Sequence, residues 1–518
     1  MLFNSYAFIF VFLPIAFAGY YLIAKKSHAG AIIWLAFVSL FFYGYWSLYS
    51  LPILVGSVCT NYWFGLQVSN QQSKHRKLML VLALAFNLSL LAYFKYANFF
   101  IDNTNVLRSL LGMNPIQFLN IVLPIGISFF TFTQIAFIMD SYQDKVKERR
   151  FFDYLLFVTF FPHLIAGPVI HHRQVMPQFL DLDNFKINSE KIALGLVIFT
   201  MGLSKKLLLA DPLGEYADIL FNGVNAGLDP QFMISWMGSF AYSLQLYFDF
   251  SGYSDMAVGL SLLFGIWLPI NFNAPFKATN IIDFWQRWHI SLTKYIGEYL
   301  YTPITLKMMR VAQGKSAIAE IFLTLVFPTL LIFLILGLWH GPSWNYVIFG
   351  GMHGVFIVSN HLWRKIFPIA RKKSSQFFHV RAWLGWATTF IAVNFSFIMF
   401  RSDSLLVAGK IYKGILGLNN GFFTDTAITG NFLSAAFHGI WQYQLNIGQS
   451  TKESVILLLL GLFIVVFLPS TSNIATPAHS KYKELLTGRF FGAVFIAILF
   501  VMSVMQLGKT SPFLYFQF

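Results

Sequence analysis

Apolar runs close to the roughly 20 residues that cross a bilayer recur along this chain, separated by short polar breaks. Between Lys26 and Lys74 there is no Asp, Glu, Lys or Arg. The pattern predicts spans at 6–24, 31–47, 51–68, 78–94 and 118–139. Later ones follow at 154–170, 192–210, 232–248, 257–270, 319–339, 344–363, 383–400, 454–468 and 490–507. Some are short or hold polar residues, so re-entrant segments are expected among the middle ones, with about eleven to fourteen crossings or re-entrant helices in all. The fold class read from this is all-α, a polytopic integral membrane protein. In 273–317, Ile281, Ile282, Phe284, Trp285 and Trp288 recur at helical spacing, with Asp283, Gln286 and Arg287 between them. A short amphipathic helix is expected there, anchored in the membrane interface by Trp285 and Trp288.

Composition makes the same case. The 518 residues are 57% hydrophobic and 11% charged, against roughly 45–50% and about 25% in soluble domains. The 60 phenylalanines exceed what one soluble core buries. A net charge of +15 raises the question of nucleic acid. The basic residues, however, form short clusters between spans, such as Arg364-Lys365 and Arg371-Lys372-Lys373, which suit loops beside an anionic leaflet and build no groove-reading module. No nucleic-acid partner is expected; membrane lipid is.

The basic loops Lys25-Lys26, Lys74 to Lys77 and Lys145 to Arg150 follow the first, third and fifth spans. Positive-inside bias makes their side cytoplasmic and puts the N-terminus outside. The stretches 277–315 and 364–381 then lie inside, and 401–452 faces out. Ala16-Phe17-Ala18 looks like a cleavage site, yet no Lys or Arg precedes it, so 6–24 reads as a retained span. The single cysteine, Cys59, allows no intrachain disulfide and is expected to be a small buried hydrophobe.

Ionisable residues stranded at membrane depth carry the chemical information, because each is costly unless paired or lining a cavity. In Leu338-Trp339-His340-Gly341-Pro342 a helix must end, leaving a histidine beside free backbone groups. Such a histidine suits a general base that takes a proton from an attacking hydroxyl; a helix-terminal hydrogen bond is the structural alternative. The run Phe284-Trp285-Gln286-Arg287-Trp288-His289 offers Arg287 for phosphate groups and His289 for chemistry, or else a lipid-headgroup contact. Asp249-Phe250-Ser251-Gly252-Tyr253-Ser254-Asp255 sets two carboxylates between apolar runs, fit to polarise a histidine, pair with an arginine, or serve packing alone. Phe161-Pro162-His163 with Gly167-Pro168 and His171-His172 reads as a broken membrane segment; no metal-ligand spacing is present and no metal is expected. His353, in a Gly-rich stretch, reads as a packing or hydrogen-bonding residue. Walker A, dinucleotide, G-x-S-x-G and H-E-x-x-H signatures are absent.

Taken together, several motifs resemble the membrane-bound O-acyltransferase (MBOAT) family, and within it the branch that O-acetylates alginate and related polysaccharides. They are Tyr93 to Asn98, Leu123 to Phe129, Phe161 to Pro168, Tyr247 to Met256, Phe284 to Leu292, Gly337 to Gly341 and Met399-Phe400-Arg401. The resemblance runs from Phe3 to about 412 of a single membrane domain, 1–518, leaving a C-terminal helical extension from about 417. It implies a bacterial inner-membrane acetyltransferase whose invariant histidine is His340 and whose second histidine is His289. Arg287, Trp288, Asp249, Ser251, Asp255 and Trp339 become candidates for donor and substrate binding. It further implies acetyl-CoA as donor, no tightly bound cofactor, an extracytoplasmic acyltransferase partner docking around 401–452, and an exopolysaccharide as final acceptor. The family's Gly-Gly loop is missing after Trp288-His289-Ile290-Ser291, where Gly297 to Lys307 reads differently. Competing readings are another acyl group or acceptor (peptidoglycan acetylation, D-alanylation of teichoic acid) and a transporter with broken helices.

The orientation yields a direct test. In a Cys59→Ser background, Lys26→Cys and Lys77→Cys should react with an impermeant maleimide only when the cytoplasmic face is opened. Labelling of position 77 in intact cells contradicts the orientation.

Overall fold

The structure, a computed structural model, describes residues 1–147, 150–367, 376–419, 451–475, 486, 490–509 and 512–514. All regular elements among these residues are helical. The cluster Arg371-Lys372-Lys373 and most of the outward segment 401–452 lie outside the described residues. Among the described residues, six helices are long and apolar enough to cross a membrane: His28–Trp46, Arg76–Leu110, Ser189–Asn225, Ala317–His340, Val380–Arg401 and Glu453–Ile474. Phe8–Ala24 and Phe490–Met505 are shorter apolar helices. The chain divides into two compact units, Met1–Leu203 with Tyr253–Asn271 and Thr471–Phe518, and Ser204–Gly252 with Phe272–Ser470.

Polar side chains join the helices of the first unit. Asn61 on Ser50–Ser69 and Asn87 on Arg76–Leu91 exchange amide hydrogen bonds of 3.2 and 2.5 Å. Gln134 donates to Ser57 Oγ at 3.0 Å and accepts from the Tyr154 hydroxyl at 3.3 Å. Lipid offers no hydrogen bonds, so these groups are satisfied within the protein, and the bonds that cross between helices help fix which are neighbours. After Phe151–Thr159 the chain leaves the helix, and residues 160–171 are buried throughout. This is the broken segment expected at 154–170. Its irregular backbone is tolerated because protein, not lipid, surrounds it. Gly126, at φ 70°, lies against it, and a Cβ there would stand 3.0 Å from the Leu164 carbonyl oxygen, so both the left-handed backbone and the contact require glycine.

Several expected boundaries shift. The span expected at 78–94 continues through a π-helical turn, Ala92–Tyr96, into Ala97–Leu110. The span expected at 118–139 begins only at Ile127, because the preceding residues run back along Ala97–Leu110. Asn98 donates to the Leu119 carbonyl and accepts from the Leu119 amide, both at 2.9 Å, and Asn105 does the same with Ile116 at 2.8 and 2.7 Å. These side chains take the backbone groups that a helix needs. The spans expected at 232–248 and 257–270 form one helix to Leu263, Phe232–Leu263, since Gly252 without a proline does not stop it. Cys59 is exposed, not buried: it faces outward from its apolar helix, where lipid is an adequate solvent for a thiol.

In the second unit, Phe327–His340 and Trp344–Ile366 form a hairpin whose backbones nearly touch. A Cβ on Gly337 would stand 2.1 Å from the Tyr346 carbonyl oxygen, and one on Gly350 2.0 Å from that of Phe333. Only glycine permits this approach, which sets the height of the helix end that carries His340. Gly337→Ala should therefore force the helices apart at a cost of about 1–3 kcal/mol. Tryptophan-monitored thermal unfolding in detergent should show a loss of several degrees; an unchanged midpoint contradicts the close approach.

Candidate active site

The candidate site is built within the second unit. The Phe327–His340 helix ends at its histidine, where Gly341 turns extended ahead of Pro342. His340 is 8% exposed and enclosed by rings: Phe400 at 5.1 Å, Phe349 at 5.8 Å and Trp339 at 5.0 Å between centroids.

His289 arrives from a different element. It separates two short helices, Ile281–Arg287 and Ile290–Ile296, and adopts a left-handed backbone of φ 45°, ψ 52°. A non-glycine residue in that region stores strain, which survives only where neighbouring contacts over-determine it and is common at functional sites. His289 is 1% exposed, and burial pushes its imidazole down to about 3, which holds it neutral. Phe250 meets it edge to face at 4.8 Å and 88°. The Trp339 ring lies 6.5 Å away. Trp339 thus stands beside both histidines, and the fold brings together two residues some fifty positions apart in sequence.

The other candidates divide. Asp249 Oδ1 accepts from Lys206 Nζ at 2.7 Å. The same ammonium lies 2.8 Å from Asp211 Oδ1. Lys206 was not among the residues expected from sequence, although Lys205-Lys206 interrupting the apolar run 192–210 is a visible signal. Ser251 is fully buried, and its hydroxyl has no hydrogen-bond partner among the described residues. Asp255 falls in the first unit.

Arg287 donates from Nε to Asp283 Oδ1 at 2.7 Å, an i,i+4 pair that leaves its side chain about one-third exposed. Trp285 and Trp288 are not interface anchors: both are buried. Trp288 stacks on Phe284 at 5.5 Å and meets Phe272 edge-on at 5.1 Å. The helix is only seven residues long, too short to present a separate membrane-facing side, and its aromatic face packs inward. Trp285 donates from its indole nitrogen to His353 Nδ1 at 3.2 Å. An indole only donates, so Nδ1 is the unprotonated nitrogen, and Nε2 carries the hydrogen toward Ser396 Oγ at 2.9 Å. Ser396 in turn donates to the Val393 carbonyl at 2.7 Å. His353 is the hydrogen-bonding residue expected from its setting. It ties the segment before His289 to two long helices. No group of three His, Cys, Asp or Glu is gathered as a metal site among the described residues. In the first unit, His163 bonds the Phe157 carbonyl at 3.0 Å, and His172 lies 3.0 Å from Asp140.

Residues 16–400 match the family described as MBOAT, membrane-bound O-acyltransferase. The chain belongs to that family. It is a membrane-embedded O-acyltransferase. The "Peptidoglycan O-acetyltransferase" of Helicobacter pylori is 42% identical over 448 residues, 81% of this chain and 80% of that protein. The "Probable alginate O-acetylase AlgI" of Pseudomonas syringae pv. tomato is 34% identical over 555 aligned residues, 100% of each chain. The "Teichoic acid D-alanyltransferase" of Lacticaseibacillus rhamnosus is 29% identical over 287 residues, 53% of this chain and 68% of that protein. For a family member, a site walled by rings and holding buried histidines suits acyl transfer, since water is kept from a reactive acyl group.

His353→Leu should destabilise the protein by about 1–3 kcal/mol, because the Trp285 indole is left buried without an acceptor. His353→Gln, which keeps a donor and an acceptor, should lose less. Equal melting temperatures for the Leu variant and the parent contradict the assigned bond.

Proposed function

We propose that this chain moves an acetyl group from a cytoplasmic thioester, acetyl-CoA, to hydroxyl groups of an extracytoplasmic polysaccharide, with His340 as general base. The observation that supports this most is that His340 and His289 both lie beside the Trp339 ring, at 5.0 and 6.5 Å between centroids, at the broken end of an apolar helix. An imidazole there accepts the proton of a hydroxyl on the extracytoplasmic partner as its oxygen attacks the thioester carbonyl; the carbon–sulfur bond breaks, the thiolate leaves with a proton returned by His340, and the partner then passes the acetyl group to the glycan. His289 positions the donor. Arg287, at a partly exposed helix end, receives its phosphates.

The acceptor is a glycan in both full-length and near-full-length relatives, alginate in one and peptidoglycan in the other. The higher identity to the peptidoglycan O-acetyltransferase favours peptidoglycan as the first acceptor to test. The membrane is the bacterial inner membrane, and the N-terminus lies outside. A bundle of helices has no room to thread a long polymer to a buried histidine, so an extracytoplasmic partner with its own nucleophile completes the transfer.

The test is a proteoliposome carrying acetyl-labelled acetyl-CoA inside, with peptidoglycan or alginate outside, with and without the extracytoplasmic partner. Label should appear covalently on a glycan, and efficiently only with the partner. Label that crosses without becoming attached points instead to a transporter. His340→Ala should lose at least about 100-fold in rate, and His289→Ala should fall strongly but incompletely. Full activity of well-folded His340→Ala removes the general-base assignment.

A further inference from the structure

Lys206 is the charged group that this site does not yet use. It lies on a π-helical turn, Lys205–Ala210, within the apolar Ser189–Asn225 helix, and it is 2% exposed. An ammonium at that depth persists only if paired, and two carboxylates meet it: Asp249 at 2.7 Å and Asp211 at 2.8 Å. Buried ion pairs of this kind add little net stability compared with well-packed apolar side chains, so stability alone does not account for them. What they impose is a fixed position. A π turn is a local insertion in a helix and is frequent at functional sites.

The position fixed here is that of Asp249, and the next residue is Phe250. Its ring contacts Phe272 at 5.0 Å and the His289 imidazole at 4.8 Å, edge to face. His289 in turn faces Trp339, which adjoins His340. We infer that Lys206 is a positioning residue for acyl transfer, whose bond to Asp249 holds Phe250 against His289 and so sets the orientation of that imidazole. This rests on the acyl-transfer reading above. Lys206 itself touches no reacting atom. Its influence passes through one residue step along the helix and one ring contact, and a displacement of about 1 Å in such a chain is enough to cost on the order of 100-fold in rate.

The experiment compares Lys206→Met, Lys206→Arg, Phe250→Ala and a neutral triple variant (Lys206→Met, Asp249→Asn, Asp211→Asn) in proteoliposomes. Each is measured with acetyl-CoA as the donor. Lys206→Met should lower kcat about 100-fold while KM for the donor stays within about threefold. Phe250→Ala should reproduce that loss, and the two changes together should be no worse than either alone. The triple variant leaves no unpaired buried charge, so it should recover the melting temperature without recovering kcat. Lys206→Arg should restore most of the rate. Recovery of kcat along with stability in the triple variant means a role in folding only and overturns the proposal, as does wild-type kcat in Lys206→Met. A readout independent of turnover is the imidazole nitrogen resonance of His289 in histidine-labelled protein. It should shift in Lys206→Met and in Phe250→Ala; an unmoved signal overturns the proposal even if the donor or acceptor assignment fails.

Discussion

A lipid-embedded chain has no water with which to satisfy its polar atoms, and nearly every specific feature of this protein follows from that constraint. Apolar surface alone cannot choose a neighbour, because lipid tails are as apolar as leucine. Choice falls to the scattered polar side chains. Asn61 selects Asn87, Gln134 selects Ser57 and Tyr154, and His353 selects Trp285 and Ser396. Where polar groups are missing, glycine supplies the alternative, as at Gly337 and Gly350, where carbonyl oxygens press against the facing helix.

The same constraint shapes the site. A histidine surrounded by Phe400, Phe349 and Trp339 is shielded from bulk water. A second one is held neutral by burial and so carries no charge into an apolar enclosure. Both are fixed by backbone breaks, the helix end at Gly341 and the left-handed turn at His289, so their placement depends on the chain path more than on rotamer choice.

Much of this was legible in the sequence. Apolar length located the spanning helices, and Trp339-His340-Gly341-Pro342 announced both the helix end and the histidine. The broken segment around Pro162 and Gly167 was also visible. What escaped notice has a common physical cause: sequence periodicity reports a face, but not what lies opposite it. Trp285 and Trp288 read as interface anchors, yet both are buried, because the helix is only seven residues long and packs its aromatic face inward. Asp249 announced that it needed a cation, but not which. Its partner comes from Lys206, 43 positions earlier. The left-handed conformation of His289 was only weakly signalled, since histidine is enriched among non-glycine residues there but still adopts that backbone rarely. The segment before Ile127 was misread because hydrophobicity alone does not distinguish a helix from an extended strap.

That strap is held by two side-chain amides. Asn98 and Asn105 each use both ends of one amide, giving hydrogens to a carbonyl and taking one from a peptide N–H. Loss of ammonia from either side chain, the slow fate of asparagine in heated or old protein, would leave a carboxylate with no hydrogen to give. The new oxygen would then face the carbonyl of Leu119 or Ile116 and repel it. The hold of this strap on its helix therefore rests on two side-chain nitrogens, both within the first unit.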